Sequence, residues 1–160
     1  MTIVVGSTVP DVAGILGIDL LAMDRLLPFE ASVEEGASPL ALFAEPGAVI
    51  IVEPNGWITA QPETVAALAV LGRTVALYWN VNYVSRFIVA ENGEIVRDFD
   101  PVVDAGAGTG GPLPEEGGID WGSDPIGKAA ALQARLTGTA LTRGQVFGTP
   151  YPTTTAPWPN

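Results

Sequence analysis

Asn92-Gly93 stands between two runs, Ser85–Glu91 and Glu94–Asp100, in which apolar and polar residues interleave. Asn and Gly tolerate positive φ, and the pair is the preferred dipeptide of a two-residue type I′ hairpin, whose twist matches that of the strands it joins. The chain is therefore expected to build antiparallel sheet at this point. A two-residue loop pairs Ala90 with Ile95, Ile88 with Arg97 and Arg86 with Phe99 on one face, leaving Val89/Val96, Phe87/Asp98 and Ser85/Asp100 on the other. Neither face is wholly apolar, so the pattern leaves open which one meets the core.

Other elements follow from their punctuation. Thr2–Val5 reads as a first strand. Ser7 or Thr8 caps a helix with Pro10 in its first turn, an apolar stripe of Val9, Val12, Ile15 and Leu16, and Gly17 as its stop. A second short helix is predicted over Asp19–Leu27, then a loop over Pro28–Ser38. Leu40–Ala44 and Ala48–Glu53 are strands, the second apolar at successive positions as for a strand covered on both faces. Pro54-Asn55-Gly56 is a turn by its chemistry. Gln61-Pro62-Glu63 opens a helix faced by Val65, Leu68, Ala69 and Leu71 and ended by Gly72, and Thr74–Asn82 returns as a strand. Pro101–Ser123 has the Gly, Pro and acid content of a long loop, and Asp124-Pro125 caps a last helix that Gly138 ends. Residues 149–160 read as an extended, polyproline-like tail that forms neither helix nor central strand.

This order predicts an α+β domain over residues 1–148, with the Gly/Pro/acidic loop at 101–123 and the tail at 149–160. Its sheet is expected to be mostly antiparallel, of about five to six strands with three to four helices. With 160 residues, 48% of them hydrophobic, one self-sufficient core is expected. The longest apolar run, Ala48–Val52, is strand-sized, far from the ~20 residues of a membrane span. No basic segment precedes Thr2–Val5, so no secretory signal is indicated, and a cytoplasmic location is expected.

The chain contains no Cys and no His. That excludes disulfides, thiolate nucleophiles, Fe–S clusters, Cys- or His-ligated metals and a Ser-His-Asp relay. Eighteen acids against seven bases give a net charge of −11, which argues against direct basic contact with nucleic acid or anionic lipid. Seven of the acids fall between Asp98 and Asp124 with no base among them.

Several residues can carry function, each against a plainer structural role. Glu53, Asn55, Trp57, Trp79, Asn80 and Asn82 lie at the ends of strands that can be neighbours, so they can form a small cleft with an aromatic wall; equally, Asn suits turns and Trp fills cores. Arg86 and Arg97 share a hairpin face and can hold a carboxylate or phosphate, or simply pair with Glu53, Glu45 or Asp98. Asp98, Asp100 and Asp104 have the oxygen donors hard cations accept but lack the register of an EF-hand, and a solvated acidic loop is the better reading. Gly106–Gly111 neither follows a strand directly nor ends in Lys at a helix start, so it is a linker and not a phosphate cradle. Tyr151 and Trp158, set among prolines, can dock in a partner's groove. No metal, cofactor or catalytic residue is assigned.

The strings Val52-Glu-Pro-Asn-Gly-Trp57, Trp79-Asn-Val-Asn82, Arg86-Phe87 and Ala90-Glu-Asn-Gly93 resemble a family of actinobacterial proteins known only as a domain of unknown function. The likeness runs from about Thr2 to about Gly148, and the chain departs from the pattern in its acidic loop and its Pro/Thr tail. It implies fold boundaries and no activity. The reading that follows is a non-enzymatic interaction or assembly subunit that contacts a protein partner, or itself, through the tail and the acidic loop. A phage-borne capsid decoration or accessory protein, in the virion, is one form of it; a host regulatory or immunity-type adaptor is another. The alternatives are a small-molecule-binding protein or enzyme using Glu53, Asn80, Asn82 and Arg86, and an acidic mimic of nucleic acid.

Overall fold

A computed structural model describes residues 1–26, 39–54, 56–104 and 107–154. Among them eight strands form one sheet: β1 (Thr2–Val5), β2 (Asp24–Leu26), β3 (Leu40–Glu45), β4 (Ala48–Val52), β5 (Thr74–Trp79), β6 (Ser85–Glu91), β7 (Glu94–Phe99) and β8 (Tyr151–Thr154). Their spatial order is β2-β8-β3-β4-β1-β5-β6-β7, and every neighbouring pair is antiparallel. The fold class is α+β as expected, but the sheet has eight strands, not five to six.

The two extra strands replace other expectations. Asp19 does cap a helix, its carboxylate accepting from the Leu21 N–H, but the helix is one 3₁₀ turn over Leu20–Ala22. Asp24–Leu26 then leave it to pair with β8, so a partner distant in sequence overrides the local signal. The segment expected to form no central strand supplies that partner: β8 lies between β2 and β3. Pro152 faces Arg25 of β2, and the pairing with β3 involves only Thr153 and Thr154, so its missing N–H breaks no bond on the β3 side. The predicted loop at residues 28–38 lies outside the described residues.

Helices cover both faces. On one, α1 (Val9–Leu16) and α2 (Pro62–Leu68) pack Val12, Leu16, Leu68 and Val65 against Val4, Leu42, Ile51, Ala76 and Ile88. On the other, α3 (Pro125–Thr137) lays Ala129, Leu132 and Leu136 over Val75, Leu77, Phe87 and Val89. Val146 of α4 (Arg143–Phe147) joins Ile3, Phe43 and Ile50 beyond it. β4 is buried at every position, as its apolar run predicts. Both faces of the β6–β7 hairpin therefore meet core.

The ends of α1 and α3 are the ones their residues specify, whereas α2 stops at Leu68 with Ala69 as its cap, short of the expected Gly72. Thr8 accepts from Asp11 N–H at the start of α1, and Gly17 at φ 67° ends it. Asp124 accepts from Gly127 N–H at the start of α3, and Gly138 at φ 70° ends it. The short helix α4 was not expected, although Thr142-x-x-Gln145 is a capping-box signature, and both of its reciprocal bonds form.

The hairpin departs from its simple register. Ala90 faces Ile95, but the next pair is Val89 with Arg97, leaving Val96 as a bulge. Below it Ile88 faces Asp98 and Phe87 faces Phe99, so the expected pairs Ile88/Arg97 and Arg86/Phe99 do not form. One inserted residue swaps the faces of everything beyond it. Arg86 and Arg97, expected on one face, point to opposite faces.

Residues 107–116 pack along the open side of β7. Asp98 and Thr109 exchange two backbone hydrogen bonds, 3.0 and 2.7 Å, which closes part of the sheet edge. A Cβ on Gly108 would collide with the Asp98 carbonyl and one on Gly110 with the Val96 carbonyl, so only glycine lets the backbone lie this close. The glycine run is thus an edge cover for β7, not a linker. Arg97, with 0% exposure, clamps it in place. Its Nε and Nη2 donate to Glu116 Oε1 and Oε2 at 2.7 and 3.0 Å, and Nη1 donates to the Ala107 and Gly110 carbonyls. No helix among the described residues is long and apolar enough to cross a membrane.

Candidate functional site

The strand order gathers several loops at one end of the sheet. β4, β5 and β7 finish there and β6 begins there, so the segments after Val52, Trp79 and Phe99 are neighbours.

Glu53, just beyond β4, turns inward. Its carboxylate accepts from Thr59 N–H at 2.7 Å, Thr59 Oγ1 at 2.5 Å and Ile58 N–H at 3.2 Å. It thereby caps the single helical turn Ile58–Ala60, and a buried Thr2 hydroxyl holds the Thr59 carbonyl. The carboxylate is a fastening for the loop, with its oxygens directed at the protein. Asn55 lies outside the described residues. The fastened loop leaves Trp57 58% exposed, its ring 6.2 Å from that of Tyr78.

Tyr78 connects the next residues. Its hydroxyl accepts from Asn80 Nδ2 at 2.9 Å, and Arg86 is its cross-strand partner. Asn80 Oδ1 in turn accepts from the N–H groups of Asn82 and Val84, at 2.9 and 3.1 Å, and so shapes the β5–β6 turn. Tyr83 holds φ 61° in that turn, a conformation a bulky residue rarely adopts, and its side chain is 78% exposed. Asn82 is exposed. Trp79, one residue from Tyr78, points to the opposite face of the strand and is half-exposed.

Arg86 and its neighbours line a shallow polar depression of about 290 Å³ with Ser85, Asp98, Asp100, Asp104 and Thr109. Arg86 Nε and Nη2 donate to both Asp98 oxygens at 3.0 and 2.7 Å. These bonds hold the guanidinium above its ordinary range; burial opposes them, and the charges of Asp98 and Glu63 reinforce them. Burial by itself raises the Asp100 carboxyl. Hydrogen bonds from Ser85 Oγ and from the N–H groups of Val102 and Val103 more than reverse that, and it lies below its usual value. Among the described residues no group of three or more acidic side chains is arranged to hold a metal ion.

The structure thus brings Trp57, Asn80 and Arg86 around Tyr78, a residue the sequence did not single out. It sets Glu53 beneath them, Trp79 across the strand, and Arg97 in the interior on Glu116. Tyr78 is visible in retrospect as the strand position two residues before Asn80 that shares a face with Arg86. Tyr151 stacks on Phe43, 3.7 Å between centroids at 10°, as part of the sheet. Trp158 lies outside the described residues.

Neither the curated proteins nor the solved structures include a match to this chain. A family profile does match, over residues 36–159. The match takes in the acidic loop and the tail, where departure from the family was expected, and leaves out β1 and α1. The chain belongs to a family of unknown function, DUF6461.

Proposed function

We propose that the chain is a non-enzymatic protein–protein interaction or assembly module, and that its contact surface is the strand-end surface around the β5–β6 turn. One observation carries this reading. Of eight large hydrophobic side chains exposed among the described residues, six lie on these adjoining segments: Trp57, Trp79, Val81, Tyr83, Val84 and Val103. Val81 is 93% exposed. Scattered apolar residues are ordinary on a surface, but a concentration of aromatic and aliphatic groups on one end marks a contact site.

The chemistry beside it supports the same reading. Glu53, the one carboxylate offered as an acid/base for an enzyme, is nearly buried and has its oxygens engaged by Thr59 and Ile58. We take the β5–β6 turn, with Val103 and Asp104 at the start of the acidic loop, as the contact surface in preference to the tail. Capsid decoration and a host adaptor role are both uses such a surface serves.

A photo-crosslinking residue placed at Tyr83 tests it. Adducts of discrete mass are expected from that position and not from Ala130, exposed on the outer face of α3. Adduct mass separates a second copy from a different protein. Equal or absent crosslinking at the two positions refutes the reading.

A further inference from the structure

The charges around this surface select its partner, an inference that rests on the interaction reading above. Trp57, Val81 and Tyr83 share this end of the sheet with carboxylates from two segments: Glu63, exposed on the first turn of α2, and Asp98, Asp100 and Asp104, which line the depression with Arg86; Trp79 lies at the same end on the other face of β5. The cation within this group, Arg86, is already held by both oxygens of Asp98. Four carboxylates against one guanidinium leave the border negative, on a chain whose own net charge is −11.

We propose that this surface docks a basic amphipathic segment of another protein, laying apolar and Arg or Lys side chains across the exposed aromatic rings and directing the cations toward Glu63 and Asp104. Charge complementarity is the reason for choosing this occupant. An exposed Trp or Tyr face attracts a cation through its quadrupole, and a nearby carboxylate adds to that attraction. A second copy of this chain would bring Asp104 and Glu63 against carboxylates of the same kind, a like-charge arrangement that interfaces exclude. The depression of about 290 Å³ lies at the low end of ligand pockets and suits the end of one side chain better than a cofactor. The negative field of the whole chain speeds approach of a basic partner and falls with salt.

The probe is a fluorescein-labelled peptide alternating Arg and Leu with one central Trp, titrated with the whole chain and followed by anisotropy. Matched peptides carry Gln or Glu in place of every Arg. The Arg peptide is expected to bind with a Kd of about 100 μM or tighter, and to weaken about tenfold between about 50 and 300 mM salt. Asp104→Lys and Glu63→Lys each weaken it by about fivefold. The double variant Val81→Ser/Tyr83→Ser, both positions exposed, abolishes it. Glu94→Lys, the same charge change at the opposite end of the hairpin, leaves it unaltered.

Equal binding of the Arg and Gln peptides, lost together in the Val81/Tyr83 variant, overturns the basic preference while the contact surface stands. Equal weakening by Glu94→Lys and Asp104→Lys overturns it as well, by showing that the attraction is global. Absence of binding by all three peptides overturns the inference, and if Tyr83 also yields no crosslink the interaction reading falls with it.

Discussion

Replacing Glu116 with alanine leaves the Arg97 guanidinium, which has no exposed surface, without its carboxylate. Removing one partner of a buried ion pair costs about 3–5 kcal/mol, because the remaining charge keeps its desolvation penalty and loses its compensation. Glu116 Oε1 also accepts from the Leu113 N–H at 2.9 Å, so a backbone donor is orphaned too. Against a total stability of about 5–15 kcal/mol, the single change removes a large fraction. Replacing both members, as in Arg97→Met with Glu116→Leu, removes the stranded charge and refills the volume. Beyond the Leu113 N–H, which is orphaned in both variants, what remains is the loss of a donor to the Ala107, Thr109 and Gly110 carbonyls, about 1–3 kcal/mol. The double variant is therefore expected to be more stable than Glu116→Ala alone. Urea titrations followed by tryptophan fluorescence give the free energies, and amide exchange gives a second readout. Exchange at Thr109 N–H quickens in variants that lack Arg97, because that side chain anchors the edge cover. The reasoning is refuted if Glu116→Ala costs under about 1 kcal/mol, or if the double variant is the less stable of the two.

Gly110→Ala forces a Cβ onto the Val96 carbonyl at φ 76°; a loss of about 1–3 kcal/mol and faster exchange at Asp98 N–H are expected in the same assays. Asp100 titrates below its ordinary 3.8 in the folded chain, so the unfolded chain takes up the proton first as pH falls. Its contribution is therefore fully present above about pH 4 and lost as pH drops through the folded value. Ser85→Ala is expected to flatten the acid limb of the urea midpoint plotted against pH, and an unaltered limb contradicts the assignment. Thr8→Ala removes the side-chain cap of α1 and lowers stability by about 1 kcal/mol, read from the urea midpoint, whereas Thr8→Ser leaves it nearly intact.

The features legible in the sequence are those whose cause is local. Thr8, Pro10 and Gly17 bound α1, Asp124-Pro125 and Gly138 bound α3, and Asn92-Gly93 turns the hairpin, because caps and turns act within a few residues. β2 and β8 escaped because neither is a strand by itself. β2 pairs with β8, and β8 with both β2 and β3, across separations such as the 125 residues between Arg25 and Pro150. The site was legible as a composition, aromatic and amide residues at two strand ends, but its faces were not. Alternation separates Tyr78 from Trp79, and the bulge at Val96 separates Arg86 from Arg97.

That bulge has a physical cause beyond the turn. In the simple register Arg97 would face Ile88, on the side of the sheet where α2 packs Val65 and Ala69, and Asp98 would face Phe87 in the apolar layer under α3. The second placement buries a carboxylate among hydrocarbon, a cost far above that of one irregular residue in a ladder, whereas the place facing Ile88 is the one Asp98 takes, partly exposed beside Arg86. Inserting Val96 sends Asp98 to Arg86 and Arg97 to Glu116 together. The same pairing changes the meaning of the acidic segment. Read alone, Asp98–Asp124 is seven acids without a base, which looks like charge held out for a partner. Its neutralising groups lie outside the segment or in its own backbone: Arg86 takes Asp98, Arg97 takes Glu116, Arg73 lies 3.7 Å from Glu115, Ser85 bonds Asp100, and Asp124 caps α3. The charge a partner can meet is what this internal use leaves. On the strand-end surface, beside the exposed aromatic rings, it is concentrated at Glu63 and at Asp104, whose carboxylate has no cation partner among the described residues and accepts one long bond, 3.4 Å, from the Asp100 N–H.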